Sequence, residues 1–273
     1  MRRIIVDSGS SIKPNEAKQM GIDVIPLRIQ LGGKEYLDGL DIDSSLLYKL
    51  IKETGEFPKT SLPHLDKVEE LFNSYLEKGD EILYLSLSSK LSSTYSTIAA
   101  MYVDNPKVRV FDTLSAVGGV RMLALEALSK PGLSLDDLVE ELTQSRGKIR
   151  ICAIPETLDY LLKGGRLKKS AWMLGTLLMI KPALGFIDGG IVTLAKFHGI
   201  KKGIAYVAEH PIEDHIDTSK PIIASYTESR VNLDKVVELL KKKGVEPTGY
   251  DDLTPTIAAH WGPNAFGLIY MVK

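Results

Sequence analysis

Cysteine is nearly absent: Cys152 is the only one in 273 residues. A single thiol builds no disulfide framework within the chain, so a reducing compartment is expected. Cys152 lies in the apolar run Ile149-Arg150-Ile151-Cys152-Ala153-Ile154, which reads as a buried strand position rather than a nucleophile. An excess of either charge is also missing, since 34 basic and 35 acidic residues leave a formal net charge of -1. Nothing in that balance draws the chain toward nucleic acid. The local basic clusters, Lys163 to Lys169 and Lys241 to Lys243, read first as solvated surface. Long apolar runs are lacking too. Met1 to Asp7 is too short for the apolar core of a signal peptide. No stretch supplies the roughly 18 apolar residues of a membrane span. The most apolar one, Ala171 to Phe186, is interrupted by Lys181 and Pro182. The expectation is a soluble, cytoplasmic protein.

Several chemical signatures are absent as well. No G-x-S-x-G elbow, phosphate-binding loop, dinucleotide-binding glycine pattern or Cys/His metal spacing occurs. A Ser/His/Asp triad has raw candidates in the many serines, His260, and Asp7 or Asp112, but no elbow to present the serine. His64, His210 and His215 read as surface residues. No internal repeat and no low-complexity segment is visible.

What is present is ordinary globular composition, 44% hydrophobic and 25% charged, in a chain long enough for two modest domains. Short apolar runs alternate with helical spacing through the first half. Strands are expected at Arg3 to Val6, Val24 to Leu31, Ile82 to Leu87 and Val108 to Phe111. Helices are expected from Pro14 to Gly21, after the cap Asp43, from Leu65 to Lys78, through Met122 and Leu128, and after the cap Ser134. This alternation predicts a parallel sheet covered by helices, with ligands beyond the carboxyl ends of its strands. Later segments predict a short helix from Leu158 to Leu162 and another from Ala171 to Met179. A hairpin turns at Asp188-Gly189-Gly190, and strands follow at Pro221 to Tyr226, Ile257 to His260 and Phe266 to Val272, with a helix from Leu233 to Lys243. The expected fold class is α/β with two domains: an N-terminal parallel-sheet, Rossmann-like domain over residues 1–148 and a C-terminal α/β domain with a mixed sheet over 149–273.

Polar chemistry concentrates in a few places. Ser86 to Tyr95 packs hydroxyls and backbone N–H groups just before a helix, an arrangement suited to an anion. The same residues also suit plain helix capping. The polar loop Lys59-Thr60-Ser61-Leu62-Pro63 adds two hydroxyls. Lys163-Gly164-Gly165-Arg166 is a compact basic turn that either binds an anion or ends a helix, and His260 precedes the Gly262-Pro263 loop.

These segments occur, in order, as Asp7-Ser8, Tyr36-Leu37-Asp38-Gly39, Lys59 to Pro63, Leu87 to Tyr95, Asp112-Thr113, Lys163 to Arg166, Ile180-Lys181-Pro182 and His260 to Pro263. The whole chain therefore resembles the DegV family. The resemblance implies a two-domain, non-catalytic protein that binds a long-chain fatty acid such as palmitate. It implies no other cofactor and no metal. It further implies that the carboxylate is presented to a separate ATP-dependent fatty acid kinase subunit, resembling dihydroxyacetone kinase, with transient membrane contact and a role in phospholipid metabolism. By the family motifs, Thr60, Ser92 and His260 match the carboxylate contacts, with Ser61 and Ser93 beside them. The chain departs from the family at Ser93 and Asn264, commonly glycine, and at Trp261, commonly small or threonine. Phe197-His198-Gly199 stands where V-R-G is frequent, without its arginine. A lipid-sensing regulator and a serine-based acyl hydrolase are the alternative readings. Burying about 14 methylenes at about 0.8 kcal/mol each yields roughly 11 kcal/mol gross, less the ordering cost. The tail is expected among apolar side chains of the second domain, such as those between Ala171 and Phe186.

Overall fold

The structure, a computed structural model, describes residues 1–167 and 180–273. In chain order its elements begin with β1 (Arg2–Asp7), α1 (Pro14–Met20), β2 (Asp23–Ile25), β3 (Arg28–Leu31), β4 (Lys34–Leu37), α2 (Ser44–Thr54) and β5 (Lys59–Ser61). Next come α3 (Leu65–Leu76), β6 (Glu81–Ser86), α4 (Thr94–Met101), β7 (Val108–Asp112), α5 (Gly118–Ser129), α6 (Leu135–Arg146), β8 (Ile149–Ile154) and α7 (Asp159–Lys163). Beyond residue 179 lie β9 (Ile180–Ile187), β10 (Gly190–His198), α8 (Ile200–Glu213), β11 (Ile223–Tyr226), α9 (Val231–Lys242), β12 (Gly249–Asp252), α10 (Pro255–Trp261) and β13 (Phe266–Met271).

The fold is α/β. A parallel sheet runs β2-β1-β6-β7, and a separate mixed sheet runs β10-β9-β8-β13-β11-β12. Period-two alternation assigns the faces. Ile4, Val6, Leu83 and Leu85 turn to one face of the parallel sheet, while Ile5, Ile82 and Tyr84 turn to the other, under α3 and α4. On β8, Ile149 and Ile151 face the first of these cores while Cys152 and Ile154 face α8 and α9. Helix α5, with Val120, Leu123, Ala124 and Ala127 buried, touches β1 and β6 on one side and β8 and β13 on the other. One apolar core therefore runs from sheet to sheet.

Several expectations change. Val24 to Leu31 is not one strand: Pro26, which donates no hydrogen bond, separates β2 in the parallel sheet from β3, which joins β4 and β5 in a third, antiparallel sheet. The Lys59-Thr60-Ser61 loop is that third sheet's edge strand. Ile257 to His260 is helical, because Pro255 occupies the first turn of α10 where its missing N–H costs nothing. Helix α8 was not expected; Gly199 at its start and Pro211 within it obscure the helical spacing. His210 is half-buried and stacks on Tyr206, whereas His64 pairs with Glu35 near the surface. The caps Asp43 and Ser134 accept from the Leu46 and Asp137 N–H groups as expected. The helix expected at Ala171 to Met179 lies outside the described residues.

Candidate functional site: a polar mouth and an apolar slot

The carboxyl ends of β1, β6 and β7 meet the third sheet and α10. Here Asp7 is fully buried, accepting from the N–H groups of Gly9 and Leu87 and from the hydroxyls of Tyr84 and Ser86. Burial pushes its carboxyl up to about 6, against the opposing effect of those donors. Asp112 accepts from the Ser89 and Leu114 N–H groups. Both aspartates thus shape the loops rather than serving a histidine.

Most of the serine-rich segment is structural. Ser86 serves Asp7, and Ser88 donates to the Gly189 carbonyl at 2.7 Å, tying the β9–β10 turn to this loop. Ser92 and Ser93 are different. Ser92 Oγ accepts from the Thr94 N–H and lies 2.8 Å from the Thr94 hydroxyl, and Ser93 makes no capping bond to α4. Both line a cavity of about 110 Å³. Thr60, Ser61 and His260 line the same cavity, so the five residues singled out from sequence converge on one space.

His260 Nε2 lies 2.8 Å from Thr60 Oγ1, while its Nδ1 is buried without a partner among the described residues. Desolvation, reinforced by the nearby Arg166, pushes the imidazole down to about 3. The ring is therefore neutral near neutral pH. If Nε2 carries the proton, it donates to Thr60 Oγ1 and leaves the Thr60 hydroxyl proton aimed elsewhere in the cavity. Gly164 permits this approach: a β-carbon there would stand 2.3 Å from His260 Nδ1.

Arg166 was absent from the site residues expected from sequence. Its Nε donates to the Leu91 carbonyl at 2.9 Å, joining the basic turn to the serine loop. Burial lowers its pKa somewhat, yet it stays a cation. Among the described residues it is the one charged side chain lining the cavity beside neutral His260. Hydroxyls, a guanidinium and no carboxylate suit an anion. The signal for Arg166 was its Gly-Gly-Arg turn, whose spacing alone did not say where the side chain would point.

Ala116, Phe186 and Trp261 also line a second, apolar space, a slot of about 30 Å³ walled by Val117, Ile151, Ala153, Leu253, Ala265, Phe266 and Ile269 among others. The slot lies between the inner face of the mixed sheet and the start of α5. Val117 beside it holds a left-handed φ of 48°, a costly backbone for a β-branched residue, while its N–H donates to Gly9 at 2.7 Å. Of the tail residues expected from sequence, Phe186 lines both spaces; 171–179 lie outside the described residues. Trp261, a departure from the family pattern, forms part of the neck.

Among the described residues no catalytic triad assembles. His260 bonds a threonine, and no carboxylate orients its Nδ1 among the described residues. Among them, too, no group of three or more His, Cys, Asp or Glu side chains could hold a metal ion, and no helix is long and apolar enough to cross a membrane. Burial pushes the Cys152 thiol far up, away from reactivity.

An α/β fold whose loop ends converge on an anion-suited mouth, backed by an apolar slot, defines a class of binding protein. The family model described as "Uncharacterised protein, DegV family" matches residues 1–273, and the chain belongs to that family. A DegV domain-containing protein of Caldanaerobacter subterraneus subsp. tengcongensis is 30% identical over 276 residues, covering 99% of this chain and 98% of that protein. A DegV family protein from Thermus thermophilus, described by its fatty acid binding, superposes with a TM-score of 0.88 at 26% identity, covering 100% of this chain and 99% of the other. DegV from Bacillus subtilis, described as a fatty acid binding protein, matches with a TM-score of 0.85 at 29% identity over 100% and 99% of the two chains.

Proposed function

We propose that this chain binds a long-chain fatty acid such as palmitate and presents its carboxyl end to a separate ATP-dependent kinase subunit, which forms the acyl phosphate. In this reading residues 1–148 supply the hydroxyl loops of the mouth and 149–273 enclose the acyl chain, with Arg166 and His260 reaching back to complete the head site. Thr60, Ser61, Ser92, Ser93 and His260 hold the carboxylate. The chain itself makes and breaks no covalent bond.

The observation that carries the reading is that the two spaces adjoin. The polar mouth and the apolar slot share Ala116, Phe186 and Trp261. A fatty acid needs both: its head, unpaired inside protein, costs several kcal/mol, and its tail gains about 0.8 kcal/mol per buried methylene. Hydroxyl donors and the Arg166 guanidinium offset the first cost. The solved relatives described as fatty acid binding support the same ligand class.

The test has two stages. Protein purified gently and extracted in organic solvent should release a fatty acid, identified by mass spectrometry, and the emptied protein should bind palmitate on titration. With a dihydroxyacetone-kinase-like subunit and ATP, the loaded protein should then yield acyl phosphate, trapped as the hydroxamate. Binding without acyl phosphate would leave lipid carriage and remove the kinase role.

A further inference from the structure

Within the mixed sheet, β8 and β9 are joined by few ladder bonds. These antiparallel strands share a single paired position, Ala153 with Leu184, and do not pair beyond it. Ile151 and Phe186 stand two residues further along in the same register and form no bridge. A groove of about 570 Å³ opens at that gap, with Ile149, Ile151, Phe186 and Leu194 at its apolar inner part and Arg146, Arg150, Asp188 and His210 among its polar residues. Phe186 is the one described residue that lines the mouth, the slot and this groove together.

The backbone under Phe186 is held on both sides. A β-carbon on Gly185 would collide with Leu194 and the Ile151 carbonyl, and the adjoining turn is tied down by the Ser88 hydroxyl on Gly189. The ring, by contrast, is only partly buried and packs at the margin of the core. A fixed backbone with a marginal ring permits motion about the side-chain torsions alone. The slot behind the ring, about 30 Å³, is far too small for the rest of a long acyl chain, whereas the groove beyond has ample room.

Resting on the proposed lipid ligand, we infer that Phe186 sets acyl length: its ring plugs the gap between β8 and β9, and a long chain turns it aside and runs its methyl end into the groove. Short acids end before the ring and leave it in place. The apolar inner groove takes the next methylenes. The outer groove, with its two guanidiniums, offers an acyl end no apolar partner and caps the useful length.

The experiment titrates the delipidated protein with saturated acids from about ten to about twenty carbons, for wild type, Phe186→Ala, Phe186→Leu and Phe186→Trp. Each methylene buried freely is worth about a fourfold gain in affinity. Wild-type affinity should climb at that rate for short acids and flatten where the chain meets the ring. Phe186→Ala should remove the plateau, so that affinity for the longest acids relative to the shortest rises about tenfold over wild type. Phe186→Leu, the milder change should Phe186→Ala misfold, should fall between, and Phe186→Trp should flatten earlier. Parallel length profiles for all folded variants would overturn the inference while leaving lipid binding intact. A wild type that binds no acid at all would overturn the proposed function and this inference with it.

Discussion

Thr60, Ser92, Arg166 and His260 come from four segments far apart in sequence and meet only where the loops converge. Ile151, Ala153 and Ile269, which line the slot, are instead regular positions on paired strands of one sheet, and they would be buried whatever the protein bound. The mouth works through a few directional groups, each with hydrogen-bonding capacity to spare. The slot works through area, with no direction. A point change at the mouth should therefore alter one interaction, whereas a point change in the slot should alter how much chain fits.

Filling the neck gives the sharpest contrast. Ala116→Trp places a ring between mouth and slot, and blocking the proposed path of the tail beyond the mouth, about half of 14 methylenes, should cost at least a thousandfold in affinity for palmitate. Isothermal titration would measure it, with a melting curve to confirm the fold; affinity close to wild type would place the tail elsewhere.

A second effect belongs to a buried carboxyl outside both spaces. Asp38 is buried, its oxygens poorly hydrogen-bonded, with Ser8 and Thr256 nearby, and desolvation pushes its carboxyl from 3.8 up to about 6. A raised folded-state pKa contributes stability that is fully present below about 3.8 and is lost as pH rises through about 6. Asp38→Asn should accordingly gain on wild type by up to about 3 kcal/mol between pH 4 and pH 7 in denaturant titrations. A difference that stays constant with pH would mean the carboxyl is not perturbed.

The double variant Thr60→Ala with Ser92→Ala removes two hydrogen bonds to a charged head. It should weaken palmitate binding about ten- to a hundredfold without changing the melting temperature much. Unchanged affinity would move the carboxylate away from this loop pair. The smallest effect concerns His260. Because burial holds its imidazole near 3, it should not titrate between about pH 6 and pH 8, and palmitate affinity should vary less than about twofold over that range. A transition centred near the ordinary histidine value would show that the ring is charged when it binds.

The two regions also differ in how far their residues can be read from sequence. The short apolar runs at Ile4 to Val6, Ile82 to Leu85 and Ile149 to Ile154 predict buried strands, because a strand covered on both faces is apolar at nearly every position. The hydroxyl loops of the mouth stand out because Ser and Thr before helices carry polar groups that must be satisfied or used. Arg166 was harder to see, since its meaning depends on the Leu91 carbonyl it reaches from a distant segment. The slot is harder still: Ala116, Val117 and Ile269 are ordinary core residues, and nothing local marks them as facing a space instead of a neighbour. Pro255 misled in a different way, since an apolar run after a proline reads equally as strand or helix until the packing of Ala258 and Ala259 against Tyr48 and Leu47 is known.

The proposed function requires one continuous space that holds the head and the tail of one fatty acid. Quantitative mass spectrometry of lipid extracted from gently purified protein tests it most directly. About one long-chain acid per protein chain is expected, reduced to a small fraction by Ala116→Trp. Protein that carries no acid, and binds none when palmitate is added, would contradict it.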